Sequence, residues 1–155
     1  MLTEEGLAMK HRLRWTGLVI LVVMVLGSAA CGGGGPSTED FTREANAICQ
    51  EHRATIDAAA SEVLAGGQLP DPEEFGRLAQ ETIIPELTAQ LESLRGVEPA
   101  DEVADDYERV LSLGEQAVAD IRQDPSVLTD PANFQEVNQQ VDAAGLSPAC
   151  RIGPG

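Results

Sequence analysis

Aromatic side chains are scarce, at 3% of the 155 residues. After Trp15 only Phe41, Phe75, Tyr107 and Phe134 remain. So few rings cannot build the stacking platforms that grip bases or sugars. Lysine is nearly missing too: Lys10 is the only one. The whole chain holds 10 basic and 26 acidic residues. Residues 1–30 take three of the basic ones (Lys10, Arg12, Arg14) and two of the acidic ones (Glu4, Glu5). From Cys31 onward seven arginines therefore face twenty-four acids, a net charge of −17. Nucleic acid is a polyanion whose binding needs clustered Lys and Arg, so it is excluded as a partner. The same field opposes docking on anionic lipid by charge alone. Catalytic signatures are missing as well. There is no Gly-x-Ser-x-Gly elbow, no zinc-binding helix motif and no dinucleotide fingerprint. The chain is not expected to be an enzyme, a hydrolase-like activity has no motif behind it, and neither catalytic residues nor a cofactor are assigned.

What is present begins with an address. Lys10-His11-Arg12-Leu13-Arg14 is a basic region, Gly17 to Leu26 is uncharged and apolar, and Gly27-Ser28-Ala29-Ala30 are small. That order is a secretory signal. Trp15 to Ala30 is 16 residues, short of the roughly 20 that a spanning helix needs. Glu4 and Glu5 sit awkwardly ahead of the basic region, and translation is expected to start at Met9. With Cys31 next, the segment resembles the signal peptides of bacterial lipoproteins, departing only at Ser28, where leucine is usual. The resemblance implies cleavage before Cys31, a lipid on its thiol and residence at the outer face of the cell membrane. Cleavage by the ordinary signal peptidase is the alternative. Gly32 to Gly35, then Pro36 and Ser37, read as a flexible tether. The organisation expected is a signal over 1–30, a lipidated cysteine and tether over 31–37, and a domain over 38–155.

Strand alternation is absent after residue 36, and helical periodicity appears four times. The first stripe runs Phe41, Ala45, Ile48, His52, Ile56, Ala59 and Val63, opened by Ser37 or Thr38 and stopped by Gly66-Gly67. The second starts at Asp71-Pro72 and carries Phe75, Leu78, Thr82 or Ile83, Leu87, Leu91 and Leu94. Pro85 inside it predicts a kink or break near Ile83-Ile84. The third spans Asp101 to Gln123 with Val103, Tyr107, Val110, Gly114, Ala117 and Ile121 on one seam. The fourth opens at Asp130-Pro131 and carries Phe134, Val137, Val141 and Ala144 before Gly145. The fold class predicted is all-α, a small four-helix bundle-like domain. Three long helices plus a short helical cap is the alternative.

With Cys31 lipidated, Cys49 and Cys150 remain, and outside the cytoplasm one pairing is open to them. A disulfide would tie the first helix to the C-terminal tail. His52, three residues after Cys49, offers a redox or metal reading, but two ligands make a weak site. The runs Phe41 to Cys49 (FTREANAIC), Pro85 to Leu94 (PELTAQLESL) and Gly145 to Cys150 (GLSPAC) resemble small lipoproteins of high-GC Gram-positive bacteria. That resemblance implies a helical, disulfide-clasped extracytoplasmic domain and brings no activity with it.

Asp101, Glu102, Asp105, Asp106 and Glu108 crowd the start of the third helix, where the helix dipole favours carboxylates. No metal ligand is assigned among them, since the EF-hand pattern is missing. The function expected is a membrane-anchored, non-catalytic accessory or protein-binding module facing a cell-envelope protein. The alternative is a lipoprotein that binds a small ligand or a metal cation between its helices.

Overall fold

Short polar caps start the helices. Ser37 Oγ accepts the amide of Asp40 at 3.1 Å, and helix α1 (Thr38–Leu64) runs from there. Three Asp-Pro pairs repeat the device. Asp71 accepts the Glu74 amide at 2.8 Å ahead of α2 (Pro72–Leu78). Asp124 accepts from Ser126 at 2.9 Å ahead of the 3₁₀ turn Pro125–Thr129. Asp130 accepts from Ala132 at 2.9 Å ahead of the 3₁₀ turn Pro131–Phe134. In each pair the carboxylate satisfies an orphan N–H, and the proline occupies a position where its missing donor is harmless.

The computed structural model describes residues 35–65 and 71–153. The signal segment, Cys31, the tether up to Gly34 and the Gly66-Gly67 stop lie outside the described residues. Among those described, every regular element is helical and there is no strand. The elements form four helical segments, as the periodicity predicted. They are α1; α2 continuing into α3 (Ile84–Leu94); a 3₁₀ turn, Asp101–Val103, leading into α4 (Ala104–Gln123); and the turn Pro131–Phe134 leading into α5 (Gln135–Ala143).

The kink expected at Pro85 takes a different form. Between α2 and α3 lies one π-helical stretch, Ala79–Ile83, closed by the Ile84 amide donating to the Ala79 carbonyl. Pro85 has no N–H, and in a regular α-helix its ring would strike the carbonyl four residues back. The wider turn absorbs that conflict without breaking the helix. It also inserts one residue into the pattern. Leu78 and Ile83, five apart, both pack into one core cluster with Ala79 and Ile84, and Thr82 does not.

The core has two parts. One gathers Phe41, Ala45, Cys49, Tyr107, Val110 and Val141 with the tail residues Leu146 and Cys150. Phe41 meets Tyr107 edge to face at 4.8 Å, and Tyr107 Oη donates to the Leu94 carbonyl at 2.6 Å. Burial pushes the Tyr107 phenol pKa up, with the Glu44 carboxylate adding to the rise. The other part gathers Ile83, Leu87, Leu91, Ile121, Phe134 and Ile152. Leu111 touches both. Where α3 crosses α4, Gly114 lets Leu91 approach so closely that an added Cβ would lie 2.7 Å from its Cδ2.

Helix α5 ends in a Schellman turn. Gly145 adopts φ 71°, Leu146 N donates to Val141 O at 3.0 Å and Gly145 N to Asp142 O at 3.1 Å. The tail then folds back onto α1, where Cys49 and Cys150 are joined in a disulfide with their Cα atoms 4.9 Å apart. Both cysteines are buried. Asn46 on α1 accepts the Ser147 amide at 2.7 Å. Asn138 on α5 holds Ile152 from both sides, donating to its carbonyl and accepting its amide, each at 2.9 Å. Gly33–Gly155 forms one compact unit, and the two core clusters lie within it.

Candidate functional site

The apolar stripe of α1 changes character along its length. Phe41, Ala45 and Cys49 are buried, and no residue of α1 beyond Cys49 is. Ile56 and Val63 are half-buried and Leu64 is 49% exposed. They face a cavity of about 700 Å³. Its opposite walls come from Phe75 and Leu78 on α2, Ile83 and Leu87 across the π turn, Leu128 of the Pro125–Thr129 turn, and Ile152 in the tail. The π turn is what brings Ile83 to this wall. Ligand pockets generally fall in the range of about 300–1,000 Å³, are mostly apolar and carry a few polar groups that orient the guest.

One such group is present. Gln90 lines the cavity and is 3% exposed, the sole polar residue buried among those described. None of the side-chain hydrogen bonds among the described residues involves its amide. Gln90 therefore brings an amide donor and acceptor, both without a partner among the described residues, to the wall of an apolar space.

The rim is charged and largely self-compensated. Arg53 Nε lies 3.0 Å from Asp57 Oδ1, and Arg53 Nη1 donates to the Arg151 carbonyl at 3.3 Å. The Arg151 guanidinium grips Asp142 through both carboxylate oxygens, at 2.8 and 2.9 Å. Asp124 completes the rim, and hydrogen bonds from the Ser126 hydroxyl and amide hold its carboxyl below the usual range. Both arginines at this mouth already have carboxylate partners.

Other residues singled out in the sequence sit elsewhere. His52 Nδ1 lies 2.7 Å from Glu86 Oε2 across the α1–α3 contact, so its partner is a carboxylate on α3. Cys49 is committed to its disulfide. Asp105, Asp106 and Glu108 border a shallow polar recess with Arg109 and Ser112. Among the described residues no three His, Cys, Asp or Glu side chains come together as a metal ion requires. No described helix is long and apolar enough to cross a membrane.

Gln90 was missed by sequence reading, although a signal for it exists. It falls three residues after Leu87 and four before Leu94, inside the apolar stripe, where an uncompensated amide is costly. The cavity had no sequence signal, because it needs the tail, the Asp124-capped turn and the π turn to converge. No known protein family, curated protein or solved structure matches the chain.

Proposed function

We propose that this chain is a lipid-anchored extracytoplasmic module that holds a small apolar ligand inside a four-helix, bundle-like frame. The supporting observation is the cavity with Gln90 in its wall. The signal-like N-terminus and the cysteine count support an anchor at Cys31. Intact mass of the protein extracted from membranes without reductant tests it. The expected mass starts at Cys31, adds acyl chains and lacks two hydrogens; a full-length mass with free thiols refutes the anchor.

Ligand binding is tested on the oxidised Gly33–Gly155 unit with N-phenyl-1-naphthylamine, a neutral apolar fluorophore. Binding should raise its emission and stabilise the fold by about 2.7 kcal/mol at a hundredfold excess over Kd. Unchanged emission together with an unchanged melt rules out a ligand cavity.

A second reading, a module that docks a cell-envelope protein, is favoured by the net charge of −17 beyond residue 30. Cell-surface crosslinking to one dominant partner supports it, and a loss of crosslinks in 0.5 M salt would mark the contact as electrostatic.

A further inference from the structure

We infer that the cavity selects a neutral ligand: an apolar chain or ring ended by a hydroxyl or carbonyl group, which Gln90 reads by hydrogen bonding. This rests on the ligand-binding reading above and goes further by naming the chemistry of the guest.

Three observations converge on it. The walls are aliphatic and aromatic, from Ile56, Phe75, Leu78, Ile83, Leu87 and Leu128, so the body of the ligand is apolar. Gln90 is 3% exposed without a hydrogen-bond partner among the described residues. A neutral amide offers N–H donors and a carbonyl acceptor, which match an alcohol, an ester or a ketone. It cannot balance a full charge, and an ion carried into an apolar space without a counter-charge is strongly disfavoured.

The rim removes the remaining route to an anion. Arg53 is engaged by Asp57, and Arg151 by Asp142. A ligand carboxylate would have to displace one of these carboxylates and then sit beside Asp124, which its hydrogen bonds keep ionised. The acid excess of the domain repels it further. A cation is drawn to the rim by Asp57 and Asp124 but meets no carboxylate inside, since the walls named above carry none. The arrangement therefore discriminates by charge at the mouth and by hydrogen bonding within.

The experiment displaces N-phenyl-1-naphthylamine from the oxidised Gly33–Gly155 unit with 1-octanol, octane, octanoate and octylammonium at pH 8. Octanol should compete at least tenfold better than octanoate or octylammonium. In Gln90→Leu, which keeps the shape and removes the amide, octanol affinity should fall about three- to tenfold, the ordinary worth of one hydrogen bond. Octane affinity should hold or rise. Gln90→Met serves the same purpose should the leucine variant misfold, and the alcohol-against-acid comparison needs no variant. Octanoate matching octanol overturns the inference. So does a Gln90 variant that weakens octane and octanol alike, or that leaves octanol unaffected. A fluorophore that never binds sinks the ligand cavity and this inference together, whereas a bound fluorophore with a flat competitor series sinks this inference alone. Transfer of a monoacylglycerol out of phosphatidylcholine vesicles would identify a membrane source for the neutral ligand. Uptake of octanol from solution without such transfer would identify a free small molecule.

Discussion

Removing the clasp should destabilise the domain without remodelling it. The disulfide joins residues 101 apart. In the chain-entropy treatment, closing a loop of that length takes about 4.7 kcal/mol of conformational freedom from the unfolded chain at 25 °C. That is a third or more of what holds an ordinary domain together. The folded side of the balance changes little, because the tail has other attachments. Asn46 holds Ser147, Asn138 holds Ile152 twice, and Leu146 is buried beside Val141. The variant of choice is Cys49→Ala with Cys150→Ala, since serine would bury an unpartnered hydroxyl at two apolar sites. At this domain size each kcal/mol moves Tm by roughly 3–5 °C, so the drop should be on the order of 15–20 °C. Urea titration of the Gly33–Gly155 unit should show a lower midpoint and a larger m, because the released chain exposes more surface on unfolding. Helical circular dichroism before the transition should stay unchanged. A loss below about 1 kcal/mol, against the loop-closure figure, would refute the entropic account. A fall in m with lost helicity would show instead that the tail cannot stay docked without the bond.

Two further substitutions probe the first half of the core. Tyr107→Phe removes one of two donors to the buried Leu94 carbonyl, which keeps the Val97 amide at 3.0 Å, and should cost about 0.5–1.5 kcal/mol in urea titration. It should also change the alkaline limb. The folded phenol has a raised pKa, so its contribution is complete below the unfolded value of about 10 and declines as pH rises above it. The variant should lack that part of the decline, and superimposable stability profiles above pH 10 would speak against a buried phenol. Gly145→Ala places a Cβ at φ 71°, where Thr42 Cγ2 at 3.8 Å leaves room for it. The penalty is therefore backbone strain alone, about 1–2 kcal/mol, and a neutral result would show that the Schellman turn relaxes.

The four helical segments were legible because their signals are local. Ser37, Asp71 and Asp130 announce starts by their own chemistry, and the seam from Tyr107 to Ile121 is buried as its spacing requires. The register between Thr82 and Ile83 was not legible. Proline predicts a disturbance, but whether the helix bends or widens depends on what lies across from it, and here Ile83 packs with Ile121 and Phe134 in the second cluster. The third stripe stops at Gln123 and its spacing says nothing of the turn capped by Asp124, although the same Asp-Pro pairing marks two other starts. Gln90 was overlooked because a single polar residue hardly alters an otherwise apolar stripe. Its exceptional position becomes visible only when burial is known.

The two halves of the core divide the labour of the fold. Around Phe41, Cys49 and Tyr107 the packing is closed, and the disulfide ties α1 to the tail there. The next three residues of the same tail, Arg151, Ile152 and Gly153, line the cavity wall. The clasp and the cavity are thus consecutive parts of one segment, and fixing the first limits the positions open to the second. On the other side α1 continues past Cys49 without a buried residue, so its last four turns are held by one face only. That half of α1 is joined to α3 through His52 and Glu86, and to the tail through the Arg53 bond to the Arg151 carbonyl. Few apolar contacts and solvent-facing polar links are what low local stability consists of. A ligand filling the space would add apolar contacts to Ile56, which so far only borders the second core cluster, and to Val63. Protection against amide exchange should then rise in residues 53–64 on ligand binding and stay unchanged around Cys49, whose neighbours are already packed.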